Sequence, residues 1–174
     1  PQVFAIWMRL LHQMPDSVLW LLQDTAEVAD NLRAAAQSAN VDPMRLVFAE
    51  RVALPQHLAR HIAADLFLDT FPVNAHTTAS DAVYMALPMV TCSGRSFVSR
   101  VAGSLLHAAG LPSLVCSDLA QYEATALRLA QDADARCALK AQLLAARDSS
   151  PLFQPAQLAR DLESALLNVL APEP

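Results

Sequence analysis

The sequence predicts a doubly wound α/β fold, a parallel sheet covered by helices on both faces. Three observations lead there. Short apolar runs alternate with amphipathic stretches along most of the 174 residues, the rhythm of strand–helix units. The runs are apolar at consecutive positions, as in strands buried on both faces. Residues suited to capping stand at the boundaries, Thr25 and Asp118 before helical patterns and Gly110 after one.

The chain opens at Pro1-Gln2-Val3 directly into a helical pattern, with no methionine and no strand before it, and is expected to be part of a longer polypeptide. Val3, Phe4, Trp7, Leu10, Leu11 and Met14 form one broad apolar face. Pro15-Asp16 ends that helix, and Ser17–Leu22 is too short and too apolar to be anything but a buried strand. Thr25 caps a helix to about Ala39, with Val28, Leu32 and Ala35 inward. Asn40 to Pro43 turns the chain into a strand over Arg45–Glu50, and Pro55 suits the first turn of a helix over Gln56–Ala64. The alternation then repeats. Strand Leu66–Asp69 precedes helix His76–Leu87, strand Met89–Cys92 precedes helix Ser96–Ala109, and strand Leu114–Cys116 follows Gly110. Helices from Asp118 to Gln131, Asp134 to Arg147 and Ala156 to Leu170 complete the chain, the last set off by Ser149-Ser150-Pro151. Trp7 and Trp20 are core candidates, Phe153 packs the final helix down, and the Ala-Pro-Glu-Pro tail is expected to fray.

Composition narrows the function classes. Apolar residues make up 54%, enough for a substantial core, and the formal charge is −5 with the basic residues dispersed. That pattern lacks the basic patch of a nucleic-acid binder. No apolar run reaches the roughly 20 residues of a membrane span, and Pro1 to Met14 lacks a secretory leader. Cys92, Cys116 and Cys137 are an odd, widely spaced set with apolar neighbours, expected to be buried reduced thiols of a cytoplasmic protein. A glycine-rich dinucleotide fingerprint, a P-loop and a Gly-x-Ser-x-Gly elbow are all missing from the sequence. A Cys-x-x-Cys pair is missing too, His57 and His61 are the one close histidine pair, and no metal is expected.

The richest segment is Leu66 to Asp81, LFLDTFPVNAHTTASD. A strand, a turn with proline and asparagine, and then His76-Thr77-Thr78 at a helix start present free amides, hydroxyls and the positive end of the helix dipole. Such a place suits phosphate. Asp81, about one turn after Thr78, is placed to accept bonds from a ribose. A lone Thr-Thr would be an ordinary helix start; the histidine, the position past a strand and Asp81 together favour a ligand. In doubly wound folds ligands sit outside the carboxyl ends of the strands. The loops Arg51–His57, Phe71–Thr78 and Cys92–Phe97 meet that rim. His57 is suited either to a surface role or to stacking on a nucleobase whose edge Arg60, one turn on, would bond. Gly94, in a tight turn, is expected to serve a positive φ. His12 and His107 lie on amphipathic helices and are expected to be structural.

Five ordered motifs carry a resemblance that covers nearly the whole chain. They are Ser17–Leu22 (SVLWLL), His76-Thr77-Thr78 with Asp81, Pro88-Met89-Val90-Thr91, Ser99-Arg100-Val101-Ala102 and Ser149-Ser150-Pro151-Leu152-Phe153. Together they resemble the C-terminal catalytic lobe of the protein O-linked N-acetylglucosamine transferases, glycosyltransferase family 41, in a bacterial version. The resemblance implies a Rossmann-like lobe of the two-lobed GT-B fold, here without its first strand. Residues 1–148 would be the nucleotide-sugar lobe and 149–174 a C-terminal helix packing back on the catalytic region. It further implies that Val52, Ala53 and Leu54 meet the base through their backbone, with His57 stacking near uracil and Arg60 close to it. His76, Thr77 and Thr78 would hold the diphosphate and Asp81 the ribose of UDP-N-acetylglucosamine.

The implied activity is inverting, metal-independent transfer of N-acetylglucosamine to Ser or Thr hydroxyls of an acceptor protein. A Spindly-like O-fucosyltransferase using GDP-fucose and a non-catalytic nucleotide-binding lobe are the competing readings. Catalytic groups on the acceptor side are expected outside this chain, in the N-terminal lobe, with helical TPR repeats farther out. Two departures stand out. Leu54 occupies the position of a base-loop lysine in the animal enzymes, and a second, diphosphate-bonding lysine would fall before Pro1.

Overall fold

A computed structural model describes residues 2–170; Pro1 and the 171–174 tail, where fraying was expected, lie outside them. Helix α1 (Gln2–Gln13) leads to strand β1 (Leu19–Leu22), helix α2 (Ala26–Ser38), strand β2 (Leu46–Ala49) and helix α3 (Leu54–Arg60). Strand β3 (Phe67–Leu68), helix α4 (Thr77–Tyr84), strand β4 (Met89–Cys92), helix α5 (Val101–Ala108) and strand β5 (Val115–Cys116) follow. Helices α6 (Leu119–Gln131), α7 (Ala133–Ser149) and α8 (Pro155–Leu170) close the chain. Alternation and element types agree with the expectation; β4 has the expected bounds, and the other strands are shorter than their apolar runs, because only part of each finds a ladder partner.

Every ladder is parallel. β1 pairs with β2 in one sheet, and a second has the order β3-β4-β5. Among the described residues no ladder joins β1 to β3. A doubly wound sheet of order 3-2-1-4-5-6 would set these pairs as 3-2 and 4-5-6, with its first strand between them. The break therefore falls where the missing strand was expected. Burial agrees. All four residues of β4 are buried, whereas Trp20 and Leu22 of β1 are exposed and both residues of β3 are half-buried. Trp20, a core candidate from the sequence, is 39% exposed and belongs to neither core among the described residues.

Two cores result. The larger joins β3-β4-β5 to α4, α5, α6 and α7 through Val83, Met89, Val90, Leu106, Leu114, Tyr122, Leu129 and Leu143. The smaller gathers Met8, Leu11, Ala36, Val41 and Leu46 around β1, β2 and α2. Helix α1 serves both, giving Ile6 and Leu10 to the first and Met8 and Leu11 to the second. Its exposed side is tied to α6 by a two-pronged Arg9–Glu123 pair at 2.7 and 2.6 Å.

Local chemistry sets the boundaries. Thr25 Oγ1 accepts the Val28 amide at 3.2 Å, and Asp118 Oδ1 accepts that of Gln121 at 2.8 Å, the expected caps. Gly110 ends α5 with φ 79°. Helix α4 stops at Tyr84, three residues early, because Ala86 takes φ 57° and Leu87 N–H bonds back to Ala82 O. Gly94 corrects the sequence reading. Its φ is not positive; a Cβ there would collide with the Ser99 side chain and stand 3.1 Å from the Phe71 ring. Cys92 and Cys116 are buried free thiols as expected, while Cys137 is exposed on α7.

The end of the chain divides in two. Leu152 and Phe153 pack against the larger core, and Ser150 Oγ donates to Ala108 O at 2.7 Å. No residue of α8 is buried, and Leu158, Leu162, Leu166 and Leu170 form an exposed stripe at four-residue spacing.

Leu106, fully buried on α5 in the larger core, gives a direct stability test. Leu106→Ala is expected to destabilise the chain by about 2–5 kcal/mol through lost burial and a residual cavity. Urea denaturation followed by circular dichroism measures this, and a change below the measurement error would mean that this core is not formed.

Candidate functional site: a helix-start cradle beside a histidine–aspartate pair

The cradle is built from Asp69, the residue that follows β3. Its carboxylate is buried and accepts three bonds: Oδ1 from the Thr70 amide at 2.8 Å and the Ala75 amide at 2.7 Å, Oδ2 from Thr91 Oγ1 at 2.6 Å. Two of these fix the ends of the Thr70–Ala75 loop, and the third anchors it to β4. Asn74 adds to the clamp, its Nδ2 donating to Thr70 O and Cys92 O and its amide to Val98 O. From behind, Tyr122 Oη donates to Asp69 O at 2.9 Å and accepts from Trp7 Nε1 at 3.2 Å. Burial pushes the Asp69 carboxyl above its ordinary range, against the pull of the bonds from Ala75, Thr91 and Thr70 and of nearby His76.

That loop delivers His76, Thr77 and Thr78 to the start of α4, all three exposed. His76 stands at the N-cap without a side-chain cap bond, and the first helical turn is closed by Ser80 N–H to His76 O. The amides and hydroxyls of Thr77 and Thr78 have no partner among the described residues. Free donors at the positive end of a helix are what an anion requires. Beside them the exposed Phe97 ring meets His76 edge-on, centroids 6.1 Å apart.

Asp81, one turn further along α4, faces His57 of α3. His57 Nε2 lies 3.3 Å from Asp81 Oδ2, each side chain 20% exposed. Arg60 closes in from the other side, its NH2 2.7 Å from His57 Nδ1 and its NH1 donating to Glu50 O at 3.0 Å. The His61 ring stands edge-on to that of His57 at 4.8 Å. Burial lowers the His57 pKa, neighbouring Arg60 and His61 add to that, and Asp81 opposes it.

The structure thus gathers the residues singled out in the sequence along one rim. His76, Thr77, Thr78 and Asp81 line α4; His57 and Arg60 stand on α3 against Asp81; Val52, Ala53 and Leu54 form the exposed approach to α3. Two hollows of the surface, between α6 and α7 (Arg128, Gln131, Asp132) and between α1 and α6 (Arg9, Ala120, Glu123), lie away from the cradle. The cradle residues His76, Thr77 and Thr78 form an open rim. Three contributors escaped the sequence reading: Asp69 ties its own loop to the Thr91 hydroxyl, while Asn74 and Tyr122 reach the distant carbonyls of Cys92 and Asp69. His12 and His107 are structural as expected, each 2.8 Å from a backbone carbonyl oxygen, of Ala39 and Gly103.

Parallel strands, crossover helices and an anion-ready helix start define a Rossmann-type lobe of the GT-B kind. The family model of glycosyl transferase family 41 matches residues 1–162, and the chain belongs to that family. It is 37% identical over 166 residues to a UDP-N-acetylglucosamine–peptide N-acetylglucosaminyltransferase of Caenorhabditis elegans, covering 95% of this chain and 14% of the relative. A probable enzyme of the same name from Arabidopsis thaliana is 34% identical over 94% of this chain and 17% of its own length. Among solved structures, a lysine-to-methionine mutant of the Thermobaculum terrenum O-GlcNAc transferase superposes with TM-score 0.88 at 29% identity, over 95% of this chain and 32% of that one. The chain therefore spans about a sixth of the length of these curated relatives.

Asp69 separates geometry from charge. Asp69→Ala is expected to destabilise by about 3 kcal/mol or more, since two amides and a hydroxyl lose their acceptor. Asp69→Asn keeps an acceptor and the shape. The raised pKa means that ionisation of Asp69 removes stability as pH rises from its ordinary value through its folded one. Urea titrations across pH 3–8 are expected to show the Asn variant losing that downward step; an unchanged profile contradicts this.

Proposed function

We propose that this chain is the donor-binding lobe of an inverting, metal-independent protein O-glycosyltransferase. The donor is UDP-N-acetylglucosamine and the acceptor a Ser or Thr hydroxyl of a protein. The observation that carries this is the set of unpartnered donors at Thr77 and Thr78, one turn before Asp81 and across from His57. Amides, hydroxyls and the helix dipole take the diphosphate, with His76 beside them. Asp81 accepts from the ribose, and His57 offers its imidazole face to uracil near the Val52–Leu54 backbone. The family membership and the names of its relatives support the same donor.

In the reaction, the acceptor oxygen attacks the anomeric carbon on the face opposite the diphosphate. The bond from that carbon to the β-phosphate oxygen breaks, and the hydroxyl proton passes to a base outside this chain. Charge grows on UDP as it leaves, and preorganised donors at α4 stabilise it there without a metal ion. The acceptor-side lobe, the helical repeats that recruit protein, and a cytoplasmic setting complete the proposal. Among the described residues no helix is long and apolar enough to cross a membrane. The exposed leucine stripe of α8 is the surface through which the C-terminal segment packs back on the catalytic region.

Isothermal titration of the intact polypeptide tests the cradle. The double variant Thr77→Ala, Thr78→Ala is expected to lose about 30-fold or more in UDP affinity, the scale of one or two charge-assisted hydrogen bonds. Binding of UDP is expected to be unaffected by EDTA and tighter than that of GDP. Unchanged affinity in the double variant would return α4 to the role of an ordinary helix. For the 174-residue chain alone, chromatography is expected to show no UDP released from UDP-N-acetylglucosamine; turnover would mean that catalytic groups lie within it.

A further inference from the structure

Arg60 spends two of its five N–H donors inside the rim: NH1 is on the Glu50 carbonyl and NH2 on His57 Nδ1. A guanidinium only donates, so Nδ1 must accept, and in a neutral imidazole the proton then resides on Nε2. Nε2 is the atom that faces Asp81 Oδ2 at 3.3 Å, slightly beyond a typical N–H···O bond. The order Glu50 carbonyl, Arg60, His57, Asp81 is therefore a directed chain with a single consistent placement of hydrogens. We infer that Arg60 is a positioning residue for the ribose: it fixes the His57 tautomer whose Nε2–H steadies the Asp81 carboxylate. This rests on the reading of Asp81 as the ribose acceptor, and adds to the part expected of Arg60 near the base that of orienting its neighbours.

The chain of donors is sensitive to one proton. The titratable and charged groups that face His57 are Arg60 on its own helix, His61 on the following turn and Asp81 on α4. Protonating Nδ1 would set N–H against N–H at Arg60 and break the link there. The lowered His57 pKa agrees with that arrangement. Acid is thus expected to detach Arg60 while Asp81 keeps its hold on the imidazolium.

Two measurements test the assignment. Nitrogen-15 NMR of the ligand-free chain is expected to show His57 as the Nε2–H tautomer, and Arg60→Met to give mixed tautomers with a higher titration midpoint. Arg60→Gln, whose amide still donates to Nδ1, is expected to restore the tautomer. An unchanged tautomer and midpoint in Arg60→Met would overturn the relay, the other histidine signals reporting that the variant is folded. Isothermal titration of the intact polypeptide then compares UDP with 2′,3′-dideoxy-UDP. Arg60→Met is expected to weaken UDP about tenfold and the dideoxy nucleotide less than twofold, because the coupling runs through the ribose hydroxyls. Equal losses for both would put Arg60 on the base and overturn the inference. If the wild type bound neither nucleotide, the donor-site reading would fall, while the NMR comparison would still decide the relay.

Discussion

A single buried carboxylate holds the functional rim in shape. Asp69 directly follows β3, and its two oxygens bond both ends of the following loop and the β4 hydroxyl of Thr91. Taking a carboxylate out of water is unfavourable unless its lone pairs are filled. Three donors fill them here, and the raised pKa reports the strain that remains. Because each donor comes from a different point of the loop or the next strand, the carboxylate can be satisfied in only one loop geometry. That geometry leaves Thr77 and Thr78 uncovered at the helix start.

The rim divides its labour between two elements. Helix α4 is rooted in the larger core by Ala79, Ala82 and Val83, so the anion-facing donors stand on a well-packed support. Helix α3 has no buried residue of its own, and its hold on α4 runs through His57 and Asp81. Preorganisation of this kind favours charge that appears during reaction, since the donors need not turn to meet it.

Much of this was legible in the chain. Period and apolar runs gave each strand–helix unit, and Thr25, Asp118 and Gly110 marked boundaries because capping is local chemistry. His76-Thr77-Thr78 and Asp81 were legible for the same reason: one helix start, one turn apart. What escaped depends on partners far along the chain. Trp20 is 39% exposed and outside both cores, although its local pattern is that of a buried strand. Gly94 answers to Ser99 and Phe71, not to its own φ. The Asp69 acceptors draw on Thr91 and Tyr122, 22 and 53 positions away. The Arg60–His57 bond spans three residues, yet its meaning emerges only once Asp81 stands opposite.

Helix α1 is the rivet between two unequal halves. The smaller core has five buried members and leads directly into α3, whereas α4 grows out of the larger one. Breathing of the lesser half would sway the α3 end of the rim while its α4 end stays put. A ligand long enough to grasp both would act as a second rivet, firming the weaker half simply by occupying the rim.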